Sequence, residues 1–206
     1  MEIRWLGQSA FEIKTSTGTM ITDPFPGLFE ASASRDPNTV VAFCKKGQRV
    51  SGVPDEEKVV DRPGEYEFGG MSVRGVGTPA GDASSSRAVN TVFLLDAEGI
   101  TVGILGLAST PPDAPTQQMM GPVDVLLVRT DSRAMTMDQI AAAVRAIDPK
   151  VIVPTGFDPA SGAPGPTLVS FLKQMGVKSA EAQPRLSVTK GNLPPDLKIA
   201  VLSPRG

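Results

Sequence analysis

The residue types that carry most chemistry near neutral pH are sparse in this chain, and one is missing outright. Its 206 residues contain no histidine. Imidazole is the commonest metal ligand and the usual general base in this pH range. Its absence excludes Ser-His and Cys-His dyads, Asp-His pairs and every zinc site that uses histidine. The single cysteine, Cys44, follows the apolar run Val40-Val41-Ala42-Phe43 and has no carboxylate beside it in sequence. It reads as a small buried residue at a strand end rather than a nucleophile, although Lys45 next to it would favour the thiolate.

Other chemistries find equally little support. An oxygen-ligated metal would have to draw on Asp23, Asp61, Glu65, Glu67, Asp82, Asp124 and Asp131. Their spacing matches no cation loop, so turn-capping or solvated carboxylates are expected. "GPVD" and "GVGTPAGD" are glycine-containing turns, but neither has the form of a phosphate-cradling loop that opens a helix. A Ser or Thr nucleophile would need lysine as its base, and no spacing singles out such a pair. The loop "CKKGQRVSG" places Lys45, Lys46 and Arg49 together. These cations offer charge-assisted hydrogen bonds to a small anion; the plainer reading is a solvated loop.

The elements that must position these residues follow from the apolar pattern. "EIRWL", "AFEIKT" and "TMITD" alternate and suggest strands joined as a hairpin. Residues 24–38 have no sustained period and read as a loop, a candidate flap beside a cleft. "VVAF" and "EKVVD" follow as strands, and "PGEYEFGGMSVRGVG" places a turn at Gly69-Gly70 between two more. After the polar stretch 79–87, "NTVFLLDAEGITVGILG" is a hairpin closed by "AEG". "VDVLLVR" is apolar throughout, as expected for a strand covered on both faces. Helical periodicity appears only beyond it. Thr136 and Gln139 form a capping-box pattern ahead of Ile140, Val144 and Ile147. "PTLVSFLKQMG" turns Leu168, Phe171 and Leu172 inward and ends at Gly176. "VIVP", "RLSVT" and "LKIAVLS" supply the remaining strands. Strands first, then strands alternating with helices, indicate a layered α/β (α+β) fold in one domain over 1–206.

The totals narrow the setting. A net charge of −2 with no long run of one sign argues against a nucleic-acid binder. No run has the length of a membrane span, "MEIRWLGQSAF" does not read as a signal peptide, and one cysteine suits a reducing cytoplasm.

Taken together, "WLGQSAFEIKT" with "MITDPF", "PGEYEFGG", "NTVFLLDAEGITVGILG", "DVLLVR" and "PKVIVP" resemble the metallo-β-lactamase superfamily, specifically its lactonase-like branch. The similarity runs in order along nearly the whole chain. It implies an αββα four-layer sandwich with a metal site along one edge. It also implies where ligands would stand, and there the chain departs from the family. The histidine after "WLG" is Gln8. In the family's Thr-His-x-His-x-Asp-His-x-Gly loop, the ligand positions carry Lys45, Gly47, Arg49 and Val50, while Gly52 is kept. The later histidines fall on Ala80 and Gly156, and the bridging aspartate falls on Leu107. Asp23, a supporting acid in the family, remains.

A zinc hydrolase lowers the pKa of a bound water and polarises the scissile group. Here Lys45 and Arg49 would repel a dication by at least about 2 kcal/mol even in water. The resemblance therefore implies a scaffold without zinc or any other cofactor, inactive as a hydrolase and used for binding, regulation or assembly. The expected partner is another protein or a second copy of the chain, with no nucleic acid and no membrane. The alternative is a small-anion module in which Lys45, Lys46 and Arg49 act with Gln8, Asp23 and Thr155 in the vestigial cleft. A hydrolase with a relocated, histidine-free site ranks last.

Overall fold

The computed structural model describes residues 1–29, 38–53, 58–80, 89–157 and 165–204. The alternation near the amino terminus produces an antiparallel meander of β1 (Glu2–Gly7), β2 (Ala10–Lys14) and β3 (Thr19–Thr22). β4 (Thr39–Ala42) and β5 (Val59–Val60) then add in parallel to β3, and β13 (Leu186–Ser187) closes the other edge. This makes a six-stranded sheet in the order β13-β1-β2-β3-β4-β5.

The second sheet has seven strands, ordered β14-β11-β10-β9-β8-β7-β6. β6 (Gly64–Phe68), β7 (Met71–Pro79), β8 (Val89–Ala97) and β9 (Ile100–Ile104) are antiparallel neighbours. β10 (Val125–Arg129), β11 (Val151–Thr155) and β14 (Lys198–Ile199) continue in parallel from β9. The β8–β9 hairpin turns on Glu98 and Gly99, with φ of 56° and 72°. Two left-handed residues in succession suit the right-handed twist of the flanking strands. Glu98 is held there because its carboxylate accepts from the Met1 amine at 2.6 Å and from the Ser16 amide.

The two sheets face each other across a core that includes Trp5, Phe11, Ile13, Met20, Val73, Phe93, Leu95, Leu127 and Val153. β10 is covered on both faces, as its unbroken apolar run predicts. Leu127 points into the inter-sheet core, while Leu126 and Val128 point into a second core under the helices.

Among the described residues, three helices accompany the seven-stranded sheet: α1 (Ala114–Met120), α2 (Met137–Ile147) and α3 (Pro166–Gln174). The capping box at Thr136 and Gln139 is formed in both directions. Leu168, Phe171 and Leu172 are buried, as their spacing requires. Gly176 stands one residue beyond the cap Met175 with φ of 73°. Helix α1 corrects the expectation that helices begin only beyond β10. Its seven residues are too few for a readable apolar period, yet Asp113 caps it by accepting from the Thr116 amide.

On the outer face of the six-stranded sheet, Phe25, Leu28 and Phe29 pack with Val50 and Val53 against Leu6, Ile21, Val41 and Phe43. The described part of the expected flap is thus an anchored cover. The carboxy-terminal strands are shorter than their pattern suggests: β12 (Ala182–Gln183) pairs with β15 (Val201–Leu202) in a separate ribbon.

Candidate functional site

Strand direction gathers the candidate loops at one end of the sandwich. β9, β10 and β11 are parallel, and β7 runs with them across antiparallel β8. In the facing sheet β3 and β4 are parallel, and β1 runs with β3 across β2. The loops after β1, β3, β4, β7, β9, β10 and β11 therefore leave from a common edge. Contacts between the sheets close that edge. The Thr155 hydroxyl donates to the Gln8 carbonyl, the Thr91 amide donates to the Cys44 carbonyl at 2.8 Å, and Lys45 bridges to Asn90.

Gln8 has φ of 49°, and its carbonyl also accepts from the Trp5 indole at 3.0 Å. Its backbone, with an exposed side chain, is what joins it to buried Thr155. Thr155 is fully engaged, since its carbonyl accepts from both the amide and the hydroxyl of Thr130. Phe157 packs on Trp5 with ring centroids 4.9 Å apart and covers this corner.

Asp23 has φ of 40°, and its carboxylate accepts from the Cys44 amide at 2.7 Å and from the Cys44 thiol. Burial raises the Asp23 pKa above the ordinary carboxylate value, with hydrogen bonds from Cys44 and the charge of Arg129 opposing it. Burial pushes the Cys44 thiol well up as well, helped by the negative charge of Asp23. Cys44 is thus a neutral donor, in agreement with its reading as a buried structural residue.

The loop after β4 is organised by a carboxylate on the far side. Asp61 is buried and accepts from the Gly47 amide at 3.1 Å and from Arg49 at 3.0 Å, with Arg62 at 3.4 Å. Burial works to raise the Asp61 pKa, but the hydrogen bonds from Arg49 and Gly47 and the arginine charges outweigh it, and the group lies low. Gly47 has φ of 76° with open space around it. Arg49 is therefore engaged with Asp61, while Lys45 and Lys46 lie exposed. Val50 turns inward against the outer-face core.

Two groups built around Asn90 and Arg129, which sequence reasoning left aside, shape the centre, the second of them with Asp131 from the candidate carboxylates. The buried Asn90 side chain donates to Thr78 and to the Leu105 carbonyl, both at 3.0 Å, and accepts from the Leu107 amide at 2.8 Å. It fixes the loop after β9 so closely that a Cβ on Gly106 would stand 2.4 Å from Cys44 Cβ and 2.7 Å from Asn90 Oδ1. The second group is Arg129, which forks onto Asp131, with Arg133 at 3.2 Å from the same carboxylate. Asp131 lies against Gly156, where a Cβ would be 3.0 Å from Asp131 Cγ. Asn at the start of an apolar run, and Arg-x-Asp at a strand end, were the available signals.

The remaining carboxylates are dispersed. Asp124 accepts from the Thr101 amide at 3.0 Å and pairs with Lys190 at 3.5 Å. Glu65 and Glu67 are exposed on edge strand β6, and Asp82 lies outside the described residues. Among the described residues, no three His, Cys, Asp or Glu side chains converge as metal ligands would. Gln8, Lys45, Gly47, Arg49, Val50, Ala80, Leu107 and Gly156, where the resemblance leads one to expect ligands, contribute no His, Cys, Asp or Glu side chain.

The family model for the beta-lactamase superfamily domain matches residues 2–156. No curated protein matches the chain. Among solved structures, a protein from Thermotoga maritima assigned to the metallo-β-lactamase superfamily as a Zn-dependent hydrolase has 22% identity and a TM-score of 0.71, with 99% of each chain covered. Igni18, a metallo hydrolase from Ignicoccus hospitalis, has 13% identity and a TM-score of 0.58, covering 91% of this chain and 99% of its own. The metallo-β-lactamase fold protein YhfI from Bacillus subtilis has 9% identity and a TM-score of 0.58, covering 97% and 96%. At these identities the structural likeness establishes the fold and nothing finer.

Proposed function

The chain belongs to the beta-lactamase superfamily, and from that premise we propose that it is a non-hydrolytic member, without zinc, whose scaffold serves binding, regulation or assembly in the cytoplasm. The observation that carries this reading is the closed strand-end centre. Gly106 lies on Cys44, Asn90 holds the Leu107 amide, and Arg129 with Asp131 stands beside Gly156. Hydrolysis in this fold needs a metal-activated water with room for substrate beside it. The donor set present does not fit that metal, so no hydrolytic step is assigned to the chain. The partner is a protein or a second copy of the chain.

Untagged protein tests this directly. Zinc content well below one ion per chain is expected, with no turnover of lactone, phosphodiester or β-lactam substrates. Stoichiometric zinc, or turnover abolished by Leu107→Trp, would refute it.

A small-anion site built on Lys45, Lys46 and Arg49 is the weaker reading, because Arg49 already satisfies Asp61. A relocated carboxylate metal site has less support still. Asp61, Asp124 and Asp131 are each paired with a different arginine or lysine.

A further inference from the structure

Building on the metal-free reading, we propose that Arg129 is the resident cation of the strand-end site: a fixed guanidinium that holds and balances Asp131 beside Gly156. Arg129 ends β10, the strand between β9 and β11. Its Nε donates to Asp131 Oδ1 at 3.3 Å and a second nitrogen donates to Oδ2. A planar guanidinium suits this two-point recognition of a carboxylate, and unlike a bound ion it cannot dissociate. The two side chains are 17% and 16% exposed, so this pair is screened by water far less than the rim contact from Arg133, which is 74% exposed.

The surroundings are fitted to this pair. Gly156 supplies no side chain where one would displace Asp131. Gly106 bounds the other side, and the gap left among Gly106, Arg129 and Asp131 is about 10 Å³. That is at the lower limit for a single water. The charge of Arg129 also reaches Asp23 and Cys44 across the sheet interface. A half-buried carboxylate at a strand end is costly without a partner, and the guanidinium fork of Arg129 offsets that cost for Asp131.

The test compares Arg129→Met, which keeps bulk without charge, with Arg129→Lys, which keeps charge without the fork. Thermal and urea denaturation of full-length protein are the readouts. Arg129→Met is expected to lower Tm by about 5 °C or more. Arg129→Lys should recover at least half of that loss, and adding Asp131→Asn to Arg129→Met should restore part of it. Methionine and lysine variants within about 1 °C of each other, or a double variant with additive losses, would overturn the proposal. Should Arg129→Met not fold, the comparison passes to Asp131→Asn, which must destabilise the wild type more than it destabilises Arg129→Lys. Zinc analysis of the wild type addresses the metal-free reading independently. A metal-free protein indifferent to the charge at residue 129 refutes the resident cation alone.

Discussion

Gly106→Ala measures how tightly the two sheets close on each other. An alanine there has two separate costs. Gly106 has φ of 59°, and holding an L-residue in that region costs about 1 kcal/mol. Its Cβ would also enter within 2.4 Å of Cys44 Cβ and 2.7 Å of both Cys44 Sγ and Asn90 Oδ1. Two of those neighbours are anchored, Cys44 to Asp23 and Asn90 to Leu107, so the strain cannot relax into a free rotamer. Overpacking of this kind costs about 1–3 kcal/mol. Together the costs come to about 2–4 kcal/mol, or a fall in Tm of about 5–15 °C for a chain of this size. Gly47→Ala is the internal control, because Gly47 has φ of 76° with nothing within 4 Å of its added Cβ. It should show the backbone cost alone, about 2–4 °C. Calorimetry on the two variants separates the terms. Equal losses would mean that the β9 loop does not press on Cys44 and that the closed centre is wrongly described.

Other perturbations address the surrounding contacts. Asn90→Ala leaves the Leu107 amide and Leu105 carbonyl without partners and should cost about 2–4 kcal/mol, with faster hydrogen exchange at Leu107. Asp61→Asn should loosen residues 45–49, most visibly to limited proteolysis. Because the Asp61 pKa is lowered in the fold, its contribution is present above the ordinary value of 3.8 and lost as pH falls through the lower folded value, so mutant and wild type should converge in acid. The Cys44 thiol, raised by burial and by Asp23, should resist a thiol reagent at pH 8 in native protein and react on adding denaturant; rapid native labelling would contradict its placement. Thr136→Ala removes the cap of α2 and should cost about 1 kcal/mol in urea denaturation.

Much of this fold is readable from local pattern, because most elements carry their own period. β1 to β3 alternate, β10 is apolar throughout, and α2 announces itself through Thr136 and Gln139. The elements that escape are those with too few residues to repeat anything, such as α1 and the two-residue strand β12. The site divides in the same way. The residue types that the resemblance sets against ligand positions, Lys45, Leu107 and Gly156, can be read directly along the chain. What now occupies the centre cannot, because it depends on pairs far apart in the chain. Asp23 meets Cys44 across 21 positions, and Asn90 meets Leu107 across 17. The grouping of Lys45, Lys46 and Arg49 in one short loop left open a common anion beside the plainer solvated loop, and neither reading foresaw that Arg49 would pair with Asp61.

The contact of Gly106 with Cys44 also sets the order in which a metal centre could be rebuilt here. Installing histidines at positions 8, 45, 47 and 156 addresses only the donors. Position 47 has open space for a side chain, but one at 156 would come within 3.0 Å of Asp131 Cγ, which Arg129 holds in place. At position 156 rebuilding must therefore begin by subtraction, releasing Arg129 from Asp131 before a ligand is added, just as any added side chain at 106 would first have to move the β9 loop off Cys44. Each subtraction removes stability without yet restoring anything. A closed centre of this kind behaves as a ratchet, easily passed in one direction and blocked in the other by folding itself.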